Sequence, residues 1–241
     1  MSKLASITKN LSKPPRIVLY GVPGIGKTTL ASKAPSPIFI PVEDGLCDLN
    51  TEAFPQPKTI HDVGDCIGAL LNEEHQYKTV VLDCADAMEP LVHDKVCMEG
   101  GKESIGDFGF GKGYDKAADA WRGILKGFDA LRDSGMIVIV LAHSHVVRFE
   151  SPDSDGYDRW NLRLHKKVAS LVSDWADAVL FANQEVNLVQ TSNSDRKRGT
   201  TTGKRILHTT ERPAWSAKNR YGMKDTLDLS WEAISEAIRG N

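Results

Sequence analysis

The stretch GVPGIGKT, Gly21 to Thr28, sets three glycines and a proline ahead of a lysine and a threonine. It fits G-x-x-x-x-G-K-[ST], the Walker A phosphate loop. Glycines let successive backbone N–H groups turn inward with no Cβ in the way, which makes an anion cradle. Gly21, Pro23, Gly24, Ile25 and Gly26 would form that cradle. Lys27 is placed for the β and γ phosphates, the Thr28 hydroxyl for Mg²⁺, and Thr29 for the α phosphate. The expected ligands are ATP and Mg²⁺.

A magnesium held by a threonine needs a carboxylate on its other side. TVVLDC supplies Asp83 at the end of an apolar run. Asp86 is a further polar contact near the site. Hydrolysis asks for one more group, able to orient or deprotonate a water in line with the γ phosphate. In many phosphate-loop enzymes a glutamate directly follows this aspartate. Here Cys84 stands there, so the carboxylate must come from elsewhere. Glu43 and Asp44, just after the apolar run PIFIPV, are the candidates.

Those side chains need strands that end at one edge. RIVLY (16–20), PIFIPVE (37–43), KTVVLDCAD (78–86), GMIVIVLAH (135–143) and ADAVLFA (176–182) are short apolar runs that read as buried strands. Between them, helical spacing predicts helices over 27–33, 61–74, 86–98, 115–133 and from 163 through 171, with a last one over 230–239. Strands alternating with helices predict an α/β fold, a largely parallel sheet covered on both faces. The runs EVNLVQT and RILHTT predict a hairpin around a basic loop at 192–204, hence antiparallel strands at the C-terminal edge. GGKESIGDFGFGKGYDK (100–116) reads as a mobile glycine-rich loop, and 144–162 as a polar loop. Residues 1–15 read as an arm and 16–241 as one core domain.

The chain has 241 residues, 41% of them hydrophobic, and a net charge of -2. That excludes a globally basic nucleic-acid binder. Charge is uneven, however: nine basic residues against one acidic one lie between Arg196 and Lys224. The four cysteines show no CxxC spacing and are expected to be reduced. No apolar run is long enough for a membrane span, and no secretory leader is evident, so a soluble cytoplasmic protein is expected.

In order along the chain, GVPGIGKTT, IPVEDGL, VVLDCADAM and AKNRYG resemble four pieces of the RecA superfamily of ATPases. The length and order are most similar to the phage single-strand annealing ATPases of the Sak type, over roughly residues 14–225. The resemblance implies a RecA-like ATPase core with Glu43 as the catalytic glutamate. Lys218 and Arg220 of AKNR would reach the ATP of a neighbouring subunit. His143, ending LAHSH, falls where the family often places a glutamine that senses the γ phosphate. It implies single-stranded DNA, self-association into a ring or filament and a single-strand-binding protein as partners, and a phage-infected bacterial cell as the setting. By the same comparison, the extra N-terminal packing helix and the large C-terminal domain of bacterial RecA are not expected here.

Rings and cations together suit single-stranded nucleic acid. Arg148, Arg159, Trp160, Arg163, Lys166 and Lys167 in the stretch 144–167 are one candidate set, diluted by Glu150, Asp153, Asp155 and Asp158. The basic tip RKRGTTTGKR, with Arg196, Lys197 and Arg198, is a second. A zinc site at His143 and His145 is not expected, because no cysteine or carboxylate cluster adjoins them in sequence. Other functions consistent with a phosphate loop are a helicase-like motor or loader, and a kinase, against which Glu43 and AKNR speak. A GTPase is disfavoured by the lack of an Asn-Lys-x-Asp motif, and an AAA+ machine by the lack of a glutamate after Asp83.

Overall fold

In the computed structural model, which describes residues 13–46, 49–151, 155–190 and 197–240, every apolar run of the sequence becomes a strand of one ten-stranded sheet. The elements follow in the order β1 (Arg16–Gly21), α1 (Lys27–Ala31), β2 (Pro37–Pro41), β3 (Glu52–Ala53), α2 (Ile60–Asn72), β4 (Thr79–Asp83), α3 (Ala85–Gly100), α4 (Lys112–Asp133), β5 (Ile137–Phe149), β6 (Tyr157–Leu162), α5 (Lys166–Trp175), β7 (Ala178–Gln190), β8 (Lys197–His208), β9 (Lys218–Asn219), β10 (Thr226–Asp228) and α6 (Trp231–Arg239). The sheet order is β10-β8-β7-β1-β5-β4-β2-β3. Strands β7, β1, β5, β4, β2 and β3 run parallel, whereas β8, β9 and β10 pair antiparallel at the C-terminal side, as expected.

Apart from the two-residue edge strand β3, which is exposed, the parallel strands of the sheet's centre are apolar on both faces because helices cover both. Alternate residues of β1 divide between two cores. Val18 and Tyr20 face Val63 of α2, Val92 of α3, Trp121 of α4 and Val172 of α5. Ile17 and Leu19 face Leu30 of α1 and Trp231 and Ile234 of α6. Trp121 and Phe128 are wholly buried, and truncating such a ring to alanine costs about 3–5 kcal/mol. Helix α2 starts on a reciprocal cap: the Thr59 hydroxyl accepts from Asp62 N, and the Asp62 carboxylate accepts from Thr59 N. At the other end of the chain, Lys13 pairs with Asp133 at 2.6 Å and Pro14 O accepts from Arg132 Nε at 2.6 Å, so residues 13–15 lie against the end of α4.

Two expected loops carry regular structure among their described residues. In 100–116, Ile105–Phe108 forms a 3₁₀ helix and α4 begins at Lys112. The glycines there serve close packing: a Cβ on Gly113 would stand 2.1 Å from Ile105 O. The second is 144–162. There β5 continues past the sheet to Phe149 and pairs with β6, Val146 opposite Trp160 and Phe149 opposite Tyr157. A two-stranded ribbon that is largely half-exposed needs no apolar run, so an apolar-run criterion misses it. Strand β8 likewise begins at Lys197, shortening the basic loop. No helix among the described residues is long and apolar enough to cross a membrane.

Candidate functional site

Strand register brings the chemistry together. Gly21 lies opposite His143 on β5, and Pro41 at the end of β2 lies opposite Asp83 at the end of β4. The C-terminal edge of the parallel strands therefore gathers the phosphate loop, Glu43, Asp83 and His143. They line one open cavity of about 510 Å³, together with Thr28, Thr29 and Leu46.

The loop 21–28 has the shape its glycines allow. A Cβ on Gly21 would sit 2.4 Å from Ala182 O on β7, so glycine is required for the strands to close up. Gly24 (φ 75°) and Gly26 (φ 110°) turn through left-handed backbone. Ile25 points into the core and anchors the loop. Lys27 is buried, and its Nζ donates to Gly21 O at 3.1 Å and Val22 O at 3.2 Å. Burial pulls its ammonium below the usual lysine value, opposed by the carboxylates of Asp83, Asp86 and Glu43.

Thr28 Oγ1 donates to Asp83 Oδ2 at 2.9 Å, joining the two predicted magnesium-side residues. Asp83 is 3% exposed. Burial raises its pKa and nearby Glu43 adds to the rise, while the Thr28 hydroxyl and Lys27 oppose it. A buried carboxylate that remains short of positive charge fits a divalent cation. The donor set, one carboxylate and one hydroxyl facing a phosphate cradle, is what Mg²⁺ takes alongside phosphate oxygens and water. Glu43 is fixed beside it, since the backbone N–H groups of Val42 and Glu43 both donate to Asp83 O, at 2.6 and 3.3 Å.

His143 is held from behind. Its backbone N–H donates to Asp86 Oδ1 at 2.8 Å, and its Nδ1 lies 3.0 Å from Asp86 Oδ2. Burial raises the Asp86 pKa, but the bonds from His143 and Arg163 outweigh it and hold the carboxyl far below the usual range. Arg163 Nη2 also lies 3.1 Å from Nδ1, and Nε2 faces Glu43 Oε1, 4.0 Å away. A cysteine and a carboxylate do adjoin this histidine in space, contrary to the expectation from sequence: donor atoms of Glu43, Cys84 and His143 lie within 4.8 Å of one another. Asp86 holds Nδ1, so Nε2 is the ring nitrogen left facing this cluster, and burial pushes the Cys84 thiol far up.

Lys218 and Arg220 lie elsewhere. Lys218 pairs with Val179, level with Val18, near the start of the parallel strands and at the edge opposite Gly21. Its Nζ donates to Ser173 O and Asp174 O at the end of α5, at 2.9 and 2.8 Å. Arg220 reaches Asp177 at 3.3 Å, a carboxylate that Arg16 and Arg132 also hold, each at 3.0 Å.

Several residues predicted for nucleic acid are engaged within the protein. The Arg159 side chain, 11% exposed, is held by Glu211 and donates to Trp215 O at 3.2 Å. Trp160 is half-buried and stacks on Phe181 at 6.0 Å. Arg163 clasps Asp86, its Nε at 2.9 Å. Arg159 and Trp160 belong to the root of the β5–β6 ribbon, while Arg163, just beyond it, keeps about half of its side chain exposed (52%). Arg148 stands on the surface near Glu150 and Asp158, at 3.6 and 3.7 Å. Lys166 and Lys167 are exposed at the start of α5, Lys167 paired with Asp115. The backbones of Lys197 and Arg198 pair with Gln190 and Val189, and Arg196 lies outside the described residues. Sequence reading missed Phe110, which is fully exposed between Gly109 and Gly111 with φ 47°. Its signal was an aromatic flanked by glycines in a lysine-bearing loop. It also missed the Asp86–Arg163 clasp, which no local spacing announces.

Residues 13–221 match the family model described as AAA domain. The SPbeta prophage-derived uncharacterized protein YorG of Bacillus subtilis (strain 168) is 26% identical over 171 residues, 68% of this chain and 49% of that protein. The chain thus spans about half the length of this curated relative. Among solved structures, the RadB recombinase aligns over 92% of this chain and 90% of its own, with a TM-score of 0.47 at 14% identity.

Proposed function

This chain belongs to the AAA domain family, and from that premise we propose that it is a RecA-like ATPase that binds Mg-ATP, hydrolyses it, and acts on single-stranded DNA in recombination or strand annealing. The missing glutamate after Asp83 does not remove the chain from the family; it only moves the water-orienting carboxylate elsewhere. One observation carries the reading: Thr28 and Asp83 are hydrogen-bonded at the mouth of a glycine cradle, with Glu43 and His143 across the same cavity.

The residues divide the work. Backbone N–H groups of 24–28 and the Lys27 ammonium hold the β and γ phosphates. Thr28 and Asp83 hold Mg²⁺, which when bound offsets phosphate charge as it builds up in the transition state. Glu43, partly exposed and fixed beside Asp83, accepts a proton from water or orients it. His143, pinned by Asp86, presents Nε2 to the same space and reads the terminal phosphate. Lys218 and Arg220 sit at the far edge of the sheet and do not share a site with their own phosphate loop. Their role in turnover is to complete the site of a second copy, which calls for a ring or filament. The β5–β6 ribbon begins one residue beyond His143, so a change at the terminal phosphate reaches it through the Asp86–Arg163 clasp. Arg148, Lys166, Lys167 and exposed Phe110 are the surface groups that suit phosphates and stacked bases. The phage setting rests on the prophage relative.

ATPase rate, measured with and without single-stranded DNA over a range of protein concentrations, tests this. The expected result is slow turnover in dilute protein, rising steeply with concentration and with DNA. A rate per chain that ignores both contradicts the shared site and the DNA role together.

A further inference from the structure

One cation near the phosphate loop has no part in the scheme above. Arg205 lies on β8, and a Cβ built on Gly26 would stand 3.1 Å from its Nη1. Its guanidinium therefore rests against the loop itself. Leu229 closes the same side, its Cδ2 3.5 Å from that Cβ position, and Leu229 N donates to Arg205 O at 3.4 Å.

Three features set Arg205 apart from ordinary surface charge. It is exposed, yet among the described residues it forms no ion pair, whereas its neighbour Lys204 is paired with Asp228 at 3.0 Å. The ladder between β7 and β8 breaks just beyond it: Gln184 faces Arg205, but the next pair is Val186 with Thr201. Gly203, at φ 78°, absorbs the extra residues. Bulges of this kind re-aim a side chain beside a site. The third feature is position in the sheet. Glu43, Asp83 and His143 come from β2, β4 and β5 on one flank of β1, while Arg205 comes from β8 on the other flank.

A polyphosphate lying in the loop has its cleaved end toward Glu43 and His143, so its nucleoside end lies toward β8. We propose that Arg205 is a nucleotide-binding residue, supplied by the same chain that supplies the phosphate loop, whose guanidinium contacts the α phosphate. The inference deepens the reading given under Proposed function and rests on it. An arginine fork matches phosphate oxygens in pairs, and a lysine supplies only a point charge. The α phosphate is present before and after hydrolysis, so the contact favours ADP and ATP alike.

Calorimetric titration of the full chain with Mg-ADP and with a non-hydrolysable Mg-ATP analogue tests this, with thermal melting to confirm folding. Arg205→Ala should weaken both nucleotides by the same factor, about tenfold, as expected for one lost charge-assisted bond. Arg205→Lys should fall between, and Lys204→Ala should leave both affinities unchanged. Unchanged binding in a folded Arg205→Ala overturns the proposal, and so does a loss confined to the ATP analogue, which would put the guanidinium at the γ end. In the same series Lys27→Ala should abolish binding. A wild-type chain that binds neither nucleotide overturns the underlying reading along with this one, whereas wild-type binding with an unaffected Arg205→Ala overturns this one alone.

Discussion

The two edges of the parallel sheet use the same residue types to opposite ends. At the N-terminal edge, the Asp177 carboxylate is 7% exposed and is met by Arg16, Arg132 and Arg220. At the C-terminal edge, Asp83 is as deeply buried and is met by one hydroxyl, with Lys27 near. Burial pushes both carboxyls up. At Asp177 the bonds from Arg16 and the field of Arg132 more than reverse the push; at Asp83 nothing does. A saturated carboxylate is a clamp. One left short of positive charge is where the proposed Mg²⁺ would sit. The difference separates structure from function where sequence alone shows two strand-associated aspartates.

Substitutions at the two edges should therefore diverge. Asp177→Ala leaves Arg132 and Arg220 without their carboxylate and Arg16 with Asp129 alone, and removing one partner of a buried pair costs about 3 kcal/mol or more. For a domain of this size that lowers the Tm by roughly 6–12 °C. Because the folded pKa of Asp177 lies below its unfolded value, this stability is present above the usual carboxylate pKa and is lost as pH falls through the folded one. The gap between wild type and variant in thermal melts should accordingly close only below about pH 4. A constant gap down to pH 2 would show that Asp177 acts by packing, not by charge.

Arg220→Ala should be milder for the fold. Its side chain is 55% exposed, and Arg16 and Arg132 remain on Asp177, so the expected loss is under about 1 kcal/mol in denaturant melts. Stimulated turnover should nevertheless disappear while nucleotide affinity stays near wild type. Equal losses of affinity and turnover would remove Arg220 from a second copy's site.

The smallest effect on the fold is expected at Asp83→Asn. The folded pKa of Asp83 is raised, so its charged form weighs against folding at neutral pH, and that penalty fades as pH falls through the raised value. Removing the charge should leave the Tm unchanged or slightly higher. Stabilisation by ATP should lose its dependence on Mg²⁺. A Tm drop comparable to that of Asp177→Ala would erase the contrast between the two edges.

Much of this was legible in the sequence, for a physical reason. The parallel strands are buried on both faces, so RIVLY, TVVLD and MIVIVLA announce themselves as apolar runs. The phosphate loop announces itself because left-handed turns need glycine at 24 and 26. Asp83 is marked by its place at a strand end, whereas Glu43 is singled out from Asp44 only by the resemblance to RecA-type ATPases. What stayed hidden depends on contacts between distant residues. The ribbon of β5 and β6 mixes polar and apolar residues without alternation, is half-exposed along much of its length and looks like a loop. Arg163 reads as a free cation until α3 brings Asp86 against it, 77 residues away. Arg159 and Trp160 read as a stacking pair until Glu211 and Phe181 are seen to hold them. Arg205 reads as part of a basic tip until the break in the β7–β8 ladder turns it onto Gly26.

Glu43→Gln offers the most direct measurement: single-turnover cleavage of ATP beside equilibrium binding of the same nucleotide, at protein and DNA concentrations that saturate the wild type. The glutamine keeps the shape of the side chain and removes its ability to take a proton. Affinity within about threefold of wild type, with cleavage slowed about a hundredfold or more, is the predicted result. Cleavage at the wild-type rate would contradict the assignment of Glu43 and, with Cys84 already in the usual position of that carboxylate, the hydrolytic mechanism built on this edge of the sheet.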